Sequence, residues 1–214
     1  MPLIRQISVG DVLVGIWQIT ESSETLADMF CALFGRHAIP DYLTAEARRR
    51  EWLASRLLLC ELVGHPCRLL NDDNGRPFLV NGDVEVSISH TKGYAAVAVS
   101  KNRVGLDIEL RNRNVLGAQR CFLGSLEMAS MNNDNTKALL CWSAKEALFK
   151  VVGNLGGTFK ENIVVEPFDV ADCGMMKLRL CGVDEAFAGV YDVYYSFWQD
   201  IAMTLCLGPA KSDK

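Results

Sequence analysis

The sequence predicts an α+β fold of two similar lobes, each a mostly antiparallel sheet packed with helices. Three observations lead there. Segments alternating apolar and polar residues cluster after a long helical stretch. The two halves repeat one order, strand then helix then a set of strands, without a clear residue-level repeat. The 214 residues are 50% hydrophobic and 22% charged, an ordinary globular composition with material for one large domain or two small ones. No Ser/Gly-rich linker separates the halves, so the lobes, residues 1–103 and 104–214, are expected to pack tightly.

In chain order, DVLVGIWQIT (11–20) reads as a strand through its β-branched residues, and a helical stretch follows through Glu24–Phe34. LTAEARRREWLASRLLLCELVG predicts a strong helix, with Thr44 as N-cap and Gly64 as its stop. Residues 71–82 are rich in Asn, Asp, Gly and Pro and predict turns with short extended pieces. DVEVSISH, YAAVAVS and RVGLDIEL, joined at Thr91–Gly93 and Lys101–Asn102, predict a three-stranded antiparallel meander. A helical region is expected around Val115–Met131, and another from Thr136 to Val152, ending before Gly153. FKENIVVEPFDV, GMMKLRLC, YDVYYSFWQ and DIAMTLCLG complete the second set of strands.

The net charge of −4 argues against a general nucleic-acid binder. No apolar run approaches a membrane span, and the first twenty residues, broken by Arg5, Gln6 and Asp11, do not read as a signal peptide. None of the eight cysteines forms a CxxC pair, and His37, His65 and His90 sit in no zinc spacing. Most of the cysteines lie in apolar surroundings such as LLLCELV and TLCLG and read as small buried hydrophobes in a reducing cytoplasm.

GLDIEL (105–110) poses the chemical question. Val104, Leu106, Ile108 and Leu110 share one face of a strand; Gly105, Asp107, Glu109 and Arg111 share the other. The two acids lie roughly 6–7 Å apart along the strand and raise each other's pKa unless a cation neutralises them. That partner is a metal, a basic side chain or water. In WSAKEALFK (142–150), Glu146 and Lys150 are at i,i+4 and share a helix face with Trp142 and Ser143, while Lys145 lies about 100° further round. The plain reading is a solvated Glu–Lys pair. If the helix packs on the acidic strand, three carboxylates suit Mg²⁺ with waters and a phosphate.

In SISHT, Ser87 and Ser89 share a strand face, and His90 ends the strand. It reads either as a hydrogen-bonding strand terminus or, with Lys92 and the turn amides, as the rim of a phosphate site. Arg48, Arg49, Arg50 and Arg56 on one helix, with Arg76 in GRPF, form either a solvated face or bidentate phosphate ligands. GxxxxGK[ST], GxGxxG and GxSxG motifs are absent, as is a Cys–His nucleophile arrangement.

Taken together, NGRPFLVNGDVEVSISHTKGYAAVAVS, VGLDIEL and WSAKEALFKVVGNLGG resemble the large, surfactin-synthetase (Sfp) type of 4′-phosphopantetheinyl transferases. These blocks cover the central part of the chain, and REWLASRLLL before them fits as well. The resemblance implies an enzyme that moves the phosphopantetheine arm of coenzyme A onto a serine of an apo acyl or peptidyl carrier protein and releases 3′,5′-ADP. It implies Mg²⁺ as cofactor, held by Asp107, Glu109 and Glu146. Ser89 and His90 are expected at the coenzyme A 3′-phosphate, Lys145 and Lys150 at phosphate oxygens, and Arg50 or Arg56 with Arg76 at the nucleotide end. Glu127, five residues after Phe122, is an added candidate base beside Glu146 and a metal-bound water. The resemblance further implies a cytoplasmic monomer of two lobes about a pseudo-twofold, with the active site in the cleft between them. The competing reading is a coenzyme A or nucleotide-binding module that has lost catalysis.

Overall fold

Two antiparallel sheets, each covered by helices, make up the fold. The computed structural model describes residues 3–35, 38–80, 82–153, 155–183, 185 and 187–208. His37 lies outside them. The chain separates into two compact units, Met1–Lys101 and Asn102–Lys214.

The first unit runs β1 (Leu3–Val9), β2 (Val12–Gln18), α1 (Ser23–Phe34), α2 (Glu46–Val63), β3 (Leu69–Asn71), β4 (Pro77–Leu79), β5 (Glu85–Thr91) and β6 (Tyr94–Ser100). Its sheet is six-stranded in the order β1-β2-β6-β5-β4-β3. The β1–β2 hairpin turns at Gly10, whose φ of 60° suits glycine. Helix α2 packs on β2 and β6 and also against α1. It buries Leu53, Leu57 and Leu58 with Trp17, Leu26 and Val97. Gly64 stops it in the left-handed region, φ 82°, as expected. The expected Thr44 cap is not used: the N-cap is Ala45, which offers no side-chain acceptor. Glu46 instead accepts the backbone N–H of Ser23 at 3.2 Å and its hydroxyl at 2.5 Å, tying the start of α2 to the start of α1.

The second unit opens with β7 (Val104–Leu110). A 3₁₀ turn at Leu116–Ala118, α3 (Gln119–Phe122), α4 (Ser125–Met131), α5 (Asn135–Val152) and α6 (Phe159–Asn162) follow. The strands β8 (Ile163–Val165), β9 (Cys173–Leu180), β10 (Gly189–Trp198) and β11 (Ile201–Leu207) close it. The sheet order is β7-β11-β10-β9-β8. Asp134 caps α5 through Thr136 and Lys137 N–H, and Leu139, Leu140 and Leu148 are fully buried in this unit's core with Leu178 and Val193.

Several expectations are corrected. RVGLDIEL is not the third strand of a meander: β5 pairs with β6, but β7 pairs along its whole length with β11, setting Asp107 opposite Thr204 and Glu109 opposite Ala202. Hairpin rules see only the turn at Lys101–Asn102, whereas a seven-residue ladder nearly a hundred positions away decides the pairing. The helical region around 115–131 breaks at Leu123–Gly124 into α3 and α4. FKEN, expected as strand, is helical because Thr158 and Glu161 form a capping box. The cysteines are free thiols, but Cys121, Cys173 and Cys181 are exposed rather than buried. Among the described residues no helix is long and apolar enough to cross a membrane.

Candidate active site

Helix α5 lies directly on strand β7, and one glycine permits it. A Cβ added at Gly105 would stand 1.8 Å from the carbonyl oxygen of Ala147. The glycine in GLDIEL is therefore a close-approach residue. The polar face of β7 consequently meets α5. Asp107 and Glu109 are only 6% and 7% exposed, so each needs partners. Asp107 Oδ2 accepts the Ser143 hydroxyl at 2.8 Å, and Oδ1 accepts the Lys150 ammonium at 2.9 Å. Ser143 also hydrogen-bonds Thr204 on β11 at 2.8 Å. Glu109 Oε1 accepts the Trp142 indole N–H at 3.0 Å and pairs with Arg113. The question posed by the sequence thus has its answer in basic side chains: Lys150 on Asp107 and Arg113 on Glu109.

Glu146 belongs to the same group. Its carboxyl is held above the ordinary carboxylate range, first by burial, then by the charges of Asp107 and Glu109, while Lys150 and Arg113 pull it back down. The Arg113 guanidinium is raised, chiefly by its bond to Glu109, with the Asp107 and Glu146 charges adding to it. All three expected metal-holding carboxylates therefore share one electrostatic neighbourhood. Trp142 and Phe149 lie on the Glu146 side of α5, and Phe159 contacts both rings at centroid distances of 5.8 and 5.7 Å.

The carboxylates suit a hard divalent cation in donor chemistry, since all are oxygen ligands. The repulsion that lifts Glu146 is also what such a cation relieves. As they stand, Lys150 and Arg113 hold two of the acids, and among the described residues no three His, Cys, Asp or Glu side chains are grouped to hold a metal ion.

Lys145 and Glu127 lie elsewhere. Lys145 is 0% exposed and donates to Phe122 O at 2.7 Å, Ile163 O at 2.7 Å and the Glu127 carboxylate at 2.8 Å. Burial lowers its pKa, and Glu127 opposes that shift. Glu127 also accepts the N–H groups of Gly124 and Val165 at 2.7 and 2.9 Å. The pair stitches α5 to the α3–α4 turn and to β8, and leaves Lys145 no exposed atom for a phosphate.

In the first unit, Ser89 is buried and His90 exposed, with its Nε2 3.2 Å from Glu51 on α2. Arg50, one residue before Glu51, donates to Ile19 O at 2.9 Å, and its buried Nε has no partner. Arg76 pairs with Glu85. Arg56 instead stacks over Trp52, 4.3 Å from the ring centroid.

Sequence reasoning missed Arg113 and Glu51. The basic run RNR directly after DIEL was the available signal for the first. Nothing in the sequence marked Glu51 as the His90 partner. Arg111, one residue beyond β7, stacks on Phe197 at 4.3 Å.

No curated protein sequence matches the chain. Residues 42–100 match the family model described as the 4′-phosphopantetheinyl transferase N-terminal domain. That match, over α2 and the β3–β6 strands, supports a member of the 4′-phosphopantetheinyl transferase family.

Proposed function

We propose that this protein transfers the 4′-phosphopantetheine arm of coenzyme A to a serine of an apo acyl or peptidyl carrier protein and releases 3′,5′-ADP. It does so as an Sfp-type enzyme, a monomer in the cytoplasm. The reading is supported by Asp107 and Glu109 of β7 pairing with Lys150 of α5 and with Arg113, and by the Glu146 carboxyl feeling all four charges. Mg²⁺ is the proposed cofactor, with those three carboxylates as its holders. Bound there, it supplies positive charge to the diphosphate and to the departing 3′,5′-ADP.

The rest of the chemistry belongs to the chain. Phosphoryl transfer needs alignment and charge neutralisation more than covalent help. Lys150 is 27% exposed at its side chain and anchored on Asp107 and Leu106 O, so its ammonium serves diphosphate oxygens from a fixed position. Glu146, which belongs to the α5–β7 group rather than to the buried core, is the carboxylate assigned to the serine proton, which passes to it as the oxygen attacks phosphorus and the bond to 3′,5′-ADP breaks. Glu127, tied up in the core with Lys145, serves architecture rather than proton transfer in this reading. Ser89, His90 and Arg76 are assigned to coenzyme A. Of the two helix arginines the reading takes Arg50, whose fork is half used.

The test is incubation with coenzyme A, Mg²⁺ and a panel of small apo carrier proteins, followed by intact mass. Transfer adds about 340 Da to a carrier, the mass of the arm displaced with metal assistance. Coenzyme A binding with no carrier modified anywhere in the panel would sink the reading.

A further inference from the structure

Helix α2 ends at Val63, and the chain turns through Gly64, His65 and Pro66 before β3 begins at Leu69. Cys60 lies in the last turn of α2, and Cys67 stands two residues before β3. The turn brings the two thiols together: Cys60 Sγ and Cys67 Sγ are 3.9 Å apart. Cys60 is buried, Cys67 is half-buried, and both are free thiols.

A disulfide has an S–S length of about 2.0 Å, so the sulfurs must approach by roughly 2 Å more. The segment between them can supply that movement. Gly64, His65 and Pro66 are exposed and belong to no helix or strand. The two ends are nevertheless held: Gly64 N–H donates to Cys60 O at 2.9 Å, and Arg68 O accepts Val80 N–H at 2.9 Å. Burial, and then the closeness of Cys60, push the Cys67 thiol up to about 12. Thiolate is therefore scarce at neutral pH, and exchange there is slow.

We propose that Cys60 and Cys67 form a reversible disulfide that fastens the end of α2 to the start of β3, a redox-responsive staple within the first unit. In a reducing compartment the pair rests as thiols. An oxidised low-molecular-weight disulfide, such as oxidised glutathione, closes it. The Cys67 thiolate attacks that disulfide, forms a mixed disulfide and expels one small thiolate. Cys60, deprotonated in turn, attacks Cys67 Sγ and expels the second. Two protein thiols and one small disulfide thus become one protein disulfide and two small thiols. The inference goes beyond the proposed transferase activity and does not depend on it.

The test is incubation of the full chain with oxidised glutathione at about pH 8.5, in the ordinary range for thiol ionisation. Acid quench, alkylation and peptide mass follow. Cys60 and Cys67 share one tryptic peptide, residues 57–68, and Glu61 lies between them. That peptide is expected to escape alkylation and to be lighter by two hydrogens, about 2 Da. Cut after Glu61, its halves should part only on reduction. Circular dichroism should stay native, and the oxidised chain should melt roughly 5 °C higher, falling back with dithiothreitol. Cys67→Ser should abolish both changes, whereas Cys60→Ser should leave a lasting glutathione adduct on Cys67. The parent's own peptide mass decides the matter should either variant fail to fold. Full alkylation of both thiols, a parent Cys67 adduct that never closes, a linkage that forms only as circular dichroism is lost, or an unchanged melting temperature in the linked chain would each overturn the proposal.

Discussion

Asp107 meets a hydroxyl and an ammonium on α5, so its replacement removes charge from a prepared site. Asp107→Ala is expected to cut Mg²⁺-dependent labelling of a carrier protein by about a hundredfold or more while circular dichroism stays native. Labelling near the parent rate would remove Asp107 from the proposed metal-holding set. Lys145→Ala acts differently. It leaves Glu127 as an unpaired buried charge, and breaking such a pair costs about 3–5 kcal/mol, readable as a lower urea midpoint. Glu46 provides a pH signature. Its pKa is lowered from 4.5, chiefly by the Ser23 hydroxyl and N–H, so its contribution is complete above 4.5 and fades as the pH falls through the lower folded value. Unfolding midpoints of parent and Glu46→Gln should therefore differ at pH 7 and converge in acid. A gap that stays constant all the way down the acid limb would refute that linkage. At this scale the sequence was informative about faces and silent about depth. Alternation in GLDIEL put both acids on one side of β7. Helical spacing placed Lys145 apart from Glu146, but spacing alone does not say which azimuth points into the core. Glu51 was hidden because its partner His90 lies on a strand far along the chain, whereas Arg113 was signalled only by the basic run after DIEL.

At the element scale, the α5–β7 contact depends on Gly105. Gly105→Ala would drive a methyl into the Ala147 carbonyl, so the helix must shift along its whole contact with the strand. The expected cost is about 1–3 kcal/mol of stability, with a loss of labelling larger than that destabilisation alone explains. Normal stability with normal labelling would show that the helix moves freely. The two 18-residue helices α2 and α5, and the strands β9 and β10, were readable because periodicity persists over many residues. β1 was overlooked in LIRQISV, where Arg5 and Gln6 interrupt the apolar run. The pairing of β7 with β11 could not be read from a local turn. Short pieces such as α6 turned on one capping box that an apolar count passes over.

For the molecule as a whole, the two-lobed α+β class followed from the repeated order of elements, because each half carries enough apolar surface to build its own sheet and core. If coenzyme A with Mg²⁺ binds the native chain, thermal unfolding must move upward together with ligand concentration. At about a hundred times Kd the gain is roughly 2.7 kcal/mol, and a midpoint indifferent to both additions would argue against any such site. The thiols add a practical consequence. Cys121, Cys173 and Cys181 are open to solvent, whereas Cys60 is buried in the first unit and Cys141 and Cys206 in the second. Pulsed alkylation read by peptide mass will therefore divide into a prompt class and a slow one. The slow class doubles as a pair of internal clocks: modification at Cys60 times the opening of one half, and modification at Cys141 and Cys206 times the other, without a probe being engineered into either.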